Sequence, residues 1–171
     1  SVNTMTDLKG RVIAIAGAGG GLGPIVAQRF ADAGATLSLV DRHRETADAV
    51  AQDLGLPEDR IEARAVDLLD PAAASEWAKA TDQRFGEIDA LLHLVGGYRG
   101  GDPIQSFDLA DYDFLHDLLV RTVQHSSRAF HTALMGSRVD AESQPGDDGP
   151  ALAAQMYSKR AGVVHALRAG I

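Results

Sequence analysis

The sequence predicts an α/β domain, a doubly wound parallel sheet with helices on both faces. Short apolar runs at 12–16, 36–40, 61–66 and 90–95 alternate with segments whose apolar residues recur at helical spacing. The connections between them are short, so each intervening helix is the crossover that parallel neighbours require. A glycine-rich turn, AGAGGGLGP at 16–24, joins the first run to the first helix.

Each element has its own signal. VIAIA is continuous and apolar, as a strand buried on both faces must be, and the helix over 23–33 carries Ile25, Val26, Phe30 and Ala33 before Gly34 stops it. TLSLV gives the second strand, and Ala47, Val50 and Leu54 put a second helix over 46–54. IEARAV is the third strand, and Pro71 opens a helix that runs to Phe85 with Trp77 inside it. ALLHLV is the fourth strand. Helices are expected over 112–135 and 151–169, with loops rich in Gly, Pro and Asp at 96–106 and 136–150.

Composition narrows the function. The 171 residues, 45% hydrophobic, supply one core, so residues 1–171 read as a single domain, with Ser1–Thr4 a remnant ahead of Met5. A formal net charge of -8 argues against nucleic acid and anionic membrane as partners. The chain has no cysteine, and its six histidines include no i, i+4 pair, so neither a thiolate nor a paired-histidine metal site is expected. No apolar run approaches the roughly 18 residues of a membrane span. The expectation is a cytoplasmic protein that handles small molecules.

The chemistry concentrates in the glycine turn. Gly17, Gly21 and Gly23 fit G-x-x-x-G-x-G between a strand and a helix, where missing Cβ atoms let backbone N–H groups and the positive helix end approach a pyrophosphate. Asp41 closes the second strand, placed either to accept hydrogen bonds from a ribose or to cap the next helix. A carboxylate there repels a 2′-phosphate and favours NAD over NADP, while Arg42 and Arg44 keep NADP open.

These residues resemble the short-chain dehydrogenase/reductase family. LKGRVIAIAGAGGGLG is similar to its opening strand and T-G-x-x-x-G-x-G loop, with Ala16 for the threonine. Asp67 in VDLLD matches the acid that contacts adenine, with Leu68 its neighbour. DALLHLVGG resembles D-x-L-V-N-N-A-G, so that Val95 and Gly96 line the cofactor and His93 and Leu94 replace both asparagines. SSRAF at 126–130 aligns the long helix and puts Leu119 at the family's catalytic asparagine.

The resemblance implies a Rossmann-type NAD(P)-dependent oxidoreductase that interconverts an alcohol and a carbonyl on a small molecule. Its cofactor would be held by Gly17, Gly21, Leu22, Gly23, Asp41, Arg42, Asp67, Leu68, Val95 and Gly96. It also implies a homodimer or homotetramer built on the helices at 112–135 and 151–169.

Past Met135 the pattern departs from the family. The relay would comprise Tyr157 as acid/base, Lys159 and Ser143, yet Tyr157 and Lys159 stand two apart, and on a helix only residues three or four apart share a face. The fifth strand expected within 136–150 has no strand-like run, so the sheet reads as incomplete after the fourth strand. Either relay residues are absent from this sequence, or the chain is a non-catalytic dinucleotide-binding or assembly module, which Leu119 favours.

Overall fold

The strand β1, Val12–Ala16, is buried at all five positions. Val12, Ala14 and Ala16 join one core cluster and Ile13 and Ile15 the other, because successive side chains point to opposite faces of a sheet covered on both. The computed structural model describes residues 7–135 and the backbone of 162–165.

After β1 come α1 (Gly23–Asp32), β2 (Thr36–Asp41), α2 (Arg44–Leu54), β3 (Ile61–Ala65), α3 (Pro71–Phe85), β4 (Ala90–His93), α4 (Leu109–His116), α5 (Thr122–Met135) and β5 (Gly162–His165). The strands form one parallel sheet in the order β3-β2-β1-β4-β5. The chain moves outward from β1 to β3 and then crosses to the other side of β1. This reversal opens a crevice beyond the carboxyl ends of β1 and β4.

Helices α1 and α2 cover one face. Gly23, Ala27 and Ala31 of α1, four residues apart, are small enough to seat it closely on the sheet. Helices α3 and α5 cover the other, where Trp77 and Phe130 meet edge to face with centroids 4.5 Å apart. A buried polar cluster lies beneath α3. Trp77 Nε1–H donates to Ser38 Oγ at 2.9 Å, Ser38 donates to Glu62 Oε1 at 2.7 Å, and Arg64 pairs with Glu62 Oε2 at 3.0 Å. The buried carboxylate is thereby hydrogen-bonded and ion-paired, as burial of a charge requires.

Two expectations are corrected. Gly162–His165, which falls within the helix expected over 151–169, is a strand that extends the sheet beside β4, with Ala90 opposite Gly162 and His93 opposite His165. The sheet therefore does not end at β4. Two β-branched valines in a short apolar run suit a strand, and periodicity alone cannot assign so short a run. The segment 136–150, where that strand was expected, and Ser1–Thr4 lie outside the described residues.

The helix expected over 112–135 starts earlier, where Asp108 accepts from the Ala110 N–H at 2.9 Å, and is interrupted by a π-turn at Asp117–Arg121. There the Thr122 N–H reaches back five residues to the Asp117 carbonyl.

Candidate functional site

The site begins where β1 ends. Gly17 has φ +79°, and a Cβ on it would stand 2.8 Å from Val95 N and 2.9 Å from Leu94 C. The turn is thus pressed against the end of β4, and only glycine combines that backbone conformation with that approach. The N–H groups of Gly17 and Ala18 both donate to the Val40 carbonyl at 3.0 Å. Two further turns follow, Gly20 N–H to Gly17 O at 3.2 Å and Gly23 N–H to Gly20 O at 3.0 Å.

A Cβ on Gly23 would collide with the Ala18 carbonyl and stand 2.7 Å from Gly17 O. One on Gly19 would collide with Thr46 Cγ2 and stand 2.9 Å from Asp41 Oδ2. From the sequence, the missing Cβ atoms are expected to make room for a ligand. At Gly17 and Gly23 the protein's own backbone already demands them.

Helix α1 starts from this turn without a side-chain cap at Leu22 and without an acid in its first turn. By contrast, α3 and α4 are capped by Asp70 and Asp108, and α2 carries Glu45 in its first turn. The positive end of α1 is therefore left without a compensating side chain.

Asp41 ends β2 beside it. Its Oδ2 accepts from Gly19 N–H at 3.1 Å and its Oδ1 from His43 N–H at 3.2 Å. The carboxylate ties the glycine turn to β2, and His43, not Asp41, occupies the N-cap position of α2. Arg44 is engaged elsewhere. Asp48 accepts from its Nε at 2.8 Å, and that hydrogen bond and charge raise the guanidinium pKa.

These elements enclose a cavity of about 330 Å³ at the carboxyl end of the sheet. Of the residues expected at a cofactor, Gly17, Asp41, Arg42, Asp67, Leu68, Val95 and Gly96 line it. Gly21, Leu22 and Gly23 do not; Gly20 contributes in their place. Asp67 Oδ1 accepts from Leu69 N–H at 3.0 Å, fixing the bend after β3.

The far wall was not foreseen. Phe114, Asp117, Leu118 and Thr122 supply it from α4, the π-turn and α5. Arg99 buttresses that wall, bonded to Asp111 at 2.9 Å with its guanidinium 3.9 Å from the Phe114 ring centroid, while Tyr98 is 75% exposed. A sequence signal existed in His93, a polar residue in an apolar strand, and in Thr122 and Ser126, hydroxyls four apart on one helix face. His93 is 2% exposed, with Nδ1 2.9 Å from Ser126 Oγ and Nε2 3.2 Å from Thr122 Oγ1.

Leu119 lies in the π-turn. Tyr157, Lys159 and Ser143 lie outside the described residues. Among the described residues no group of three or more His, Cys, Asp or Glu is placed to hold a metal, and no helix is long and apolar enough to cross a membrane.

The comparisons agree with this architecture. The family model described as short chain dehydrogenase matches residues 11–166. Levodione reductase from Leifsonia aquatica is 33% identical over 120 residues, 69% of this chain and 45% of that protein. D-threitol dehydrogenase from Mycolicibacterium smegmatis is 34% identical over 113 residues, 66% of this chain and 43% of that protein. The crystal structure of 3-ketoacyl-(acyl-carrier-protein) reductase from Brucella melitensis complexed with NADH superimposes with a TM-score of 0.67 at 29% identity, covering 75% of this chain and 52% of that one. The chain belongs to the short-chain dehydrogenase family. It spans less than half the length of the two curated relatives.

The glycine geometry yields a stability contrast. Gly23→Ala, which forces backbone apart, is expected to cost at least about 2 kcal/mol. Gly20→Ala, whose Cβ meets only Gly17 O at 3.4 Å, is expected to stay within about 1 kcal/mol. Urea denaturation of the two variants checks the order; equal losses would contradict it.

Proposed function

We propose that this chain is the dinucleotide-binding part of an oxidoreductase that interconverts an alcohol and a carbonyl on a small molecule, with NAD preferred to NADP. The observation that carries the reading is one cavity bounded by the glycine turn and by the carboxylates Asp41 and Asp67, beside the uncapped start of α1. A helix end with no acid of its own suits a pyrophosphate, and a carboxylate closing the second strand suits ribose hydroxyls.

In this reading Gly17, Gly21, Leu22 and Gly23 form the pyrophosphate turn. Asp41 and Arg42 flank the adenosine ribose, Asp67 and Leu68 meet the adenine, and Val95 and Gly96 run along the cofactor. Asp41 in the cavity lining and the engagement of Arg44 by Asp48 support NAD over NADP, against the lining guanidinium of Arg42, which would suit a 2′-phosphate.

The nicotinamide, when bound, supplies or accepts the hydride. The chain's residues orient the reactants and move the proton. The reading gives Tyr157 the proton transfer at the carbonyl oxygen and Ser143 the orientation of the carbonyl; Lys159, two residues from Tyr157, would supply charge to it only where the backbone departs from a regular helix. The names of the two relatives, a reductase and a dehydrogenase, support the reaction class. We place the protein in the cytoplasm and take it to be a homodimer or homotetramer; the assembly is supported by the exposed apolar side chains Ile104, Leu109 and Tyr112, 90%, 77% and 58% exposed.

Absorbance of NADH with a panel of ketones and aldehydes tests the activity. Turnover of at least one carbonyl is expected, and tight NADH binding without turnover of any would reject the reaction. Titration calorimetry is expected to give tighter binding of NAD(H) than NADP(H), and Asp41→Ala to narrow the gap about tenfold, or about 1.4 kcal/mol. Preference of the unmodified chain for NADP(H) would refute the assignment of Asp41. Light scattering at micromolar concentration is expected to give a dimer or tetramer, and a stable monomer would exclude the assembly.

A further inference from the structure

The hydrogen bonds around His93 have a definite proton order. Thr122 has one hydroxyl proton, and at 2.6 Å it goes to the Leu118 carbonyl. Thr122 Oγ1 is then the acceptor at 3.2 Å from His93, so Nε2 carries the ring proton. Nδ1 is left as acceptor for the Ser126 hydroxyl at 2.9 Å; the alternative use of that proton, toward the Val123 carbonyl, is longer at 3.2 Å. The order runs from Ser126 through the imidazole and Thr122 to a carbonyl of the π-turn.

This chain of bonds ties the end of β4, at His93, to the π-turn and the start of α5, and the two sides it joins continue into opposite walls of one cavity. His93 ends β4, and the next three residues, Leu94, Val95 and Gly96, line the cavity on the sheet side. Leu118 and Thr122 line it on the helix side. The π-turn has one residue more per turn than the helix around it, which loosens its backbone ladder. The Thr122 hydroxyl supplies a donor to a carbonyl there.

The geometry points to His93 as a positioning residue that, through Thr122, holds the π-turn at a fixed distance from the end of β4 and so sets the width of the cofactor cavity. This rests on reading the cavity as the dinucleotide site. His93 touches no reacting atom; it acts through the wall it braces.

The test pairs a binding measurement with two that need no cofactor. Thr122→Val keeps the shape and removes the hydroxyl, and is expected to weaken NADH binding about fivefold, while Thr122→Ser stays within about twofold of the unmodified chain. Amide hydrogen exchange is expected to accelerate at 118–122 in Thr122→Val and not in Thr122→Ser. Nitrogen NMR shifts of the His93 ring at neutral pH are expected to show the Nε2–H tautomer.

Unchanged NADH affinity in a folded Thr122→Val would overturn the proposal, as would an Nδ1–H tautomer or unchanged exchange at 118–122. If the unmodified chain binds no NAD(H), the dinucleotide reading fails on its own. Exchange and ring shifts then still decide whether the brace exists.

Discussion

The approach of Gly17 to the end of β4 is the constraint from which the rest of the site follows. Ala16 lies opposite His93 in the sheet, so the chain leaving β1 must turn directly against Leu94 and Val95. With Gly17 in that position, the first two N–H groups of the turn reach the end of β2 at Val40, and Gly19 comes under Asp41. The ends of three neighbouring strands are thus joined by main-chain contacts before any ligand is considered. The turn is built into the fold and is not a flexible flap waiting for a phosphate.

Helix α5 divides its work along its length. Its first half is polar toward the sheet: Thr122 and Ser126 meet His93, and His125 Nδ1–H donates to the Leu68 carbonyl at 2.8 Å. Its second half supplies Phe130 and Leu134 to the apolar core. The apolar half anchors the helix through burial, and the polar half uses directional bonds to hold strand ends that line the cavity. Buried polar groups beside a site are costly unless partnered; Thr122, His125 and Ser126 have partners, whereas Ser127 Oγ, in the same half of the helix, is buried without one among the described residues.

Much of this was legible in the sequence, and the failures have physical causes. The spans of β1 and α3 could be read directly, because a fully buried strand is continuously apolar and because a proline opens α3. Of the cavity-lining residues, Gly17 and Asp41 follow from a local strand-turn-helix pattern, and Asp67 and Val95 from the family resemblance. The far wall left only the signal of His93, Thr122 and Ser126, because it depends on residues more than seventy positions from the glycine turn and on a helix whose period breaks. Read as one regular helix, Leu115, Leu118, Leu119, Thr122, Ser126 and Ala129 trace one mostly apolar stripe suited to a subunit interface; in the structure Thr122 and Ser126 are buried toward the sheet. Gly162–His165 was misassigned because so short an apolar run has no decisive period, and its pairing with β4, remote in the sequence, is what selects the strand.

The π-turn also acts as a phase shifter. Each residue of an α-helix advances about 100° around the axis, so one residue more in a turn rotates everything downstream by roughly that amount relative to an unbroken helix. Helix α4 buries no residue, whereas α5 buries four on a single face. Aligned against a regular helix, this chain needs a one-residue gap within 117–121, and removing one residue there would rotate one helix relative to the other. Protein engineers who graft across this junction must therefore count turns and not residues.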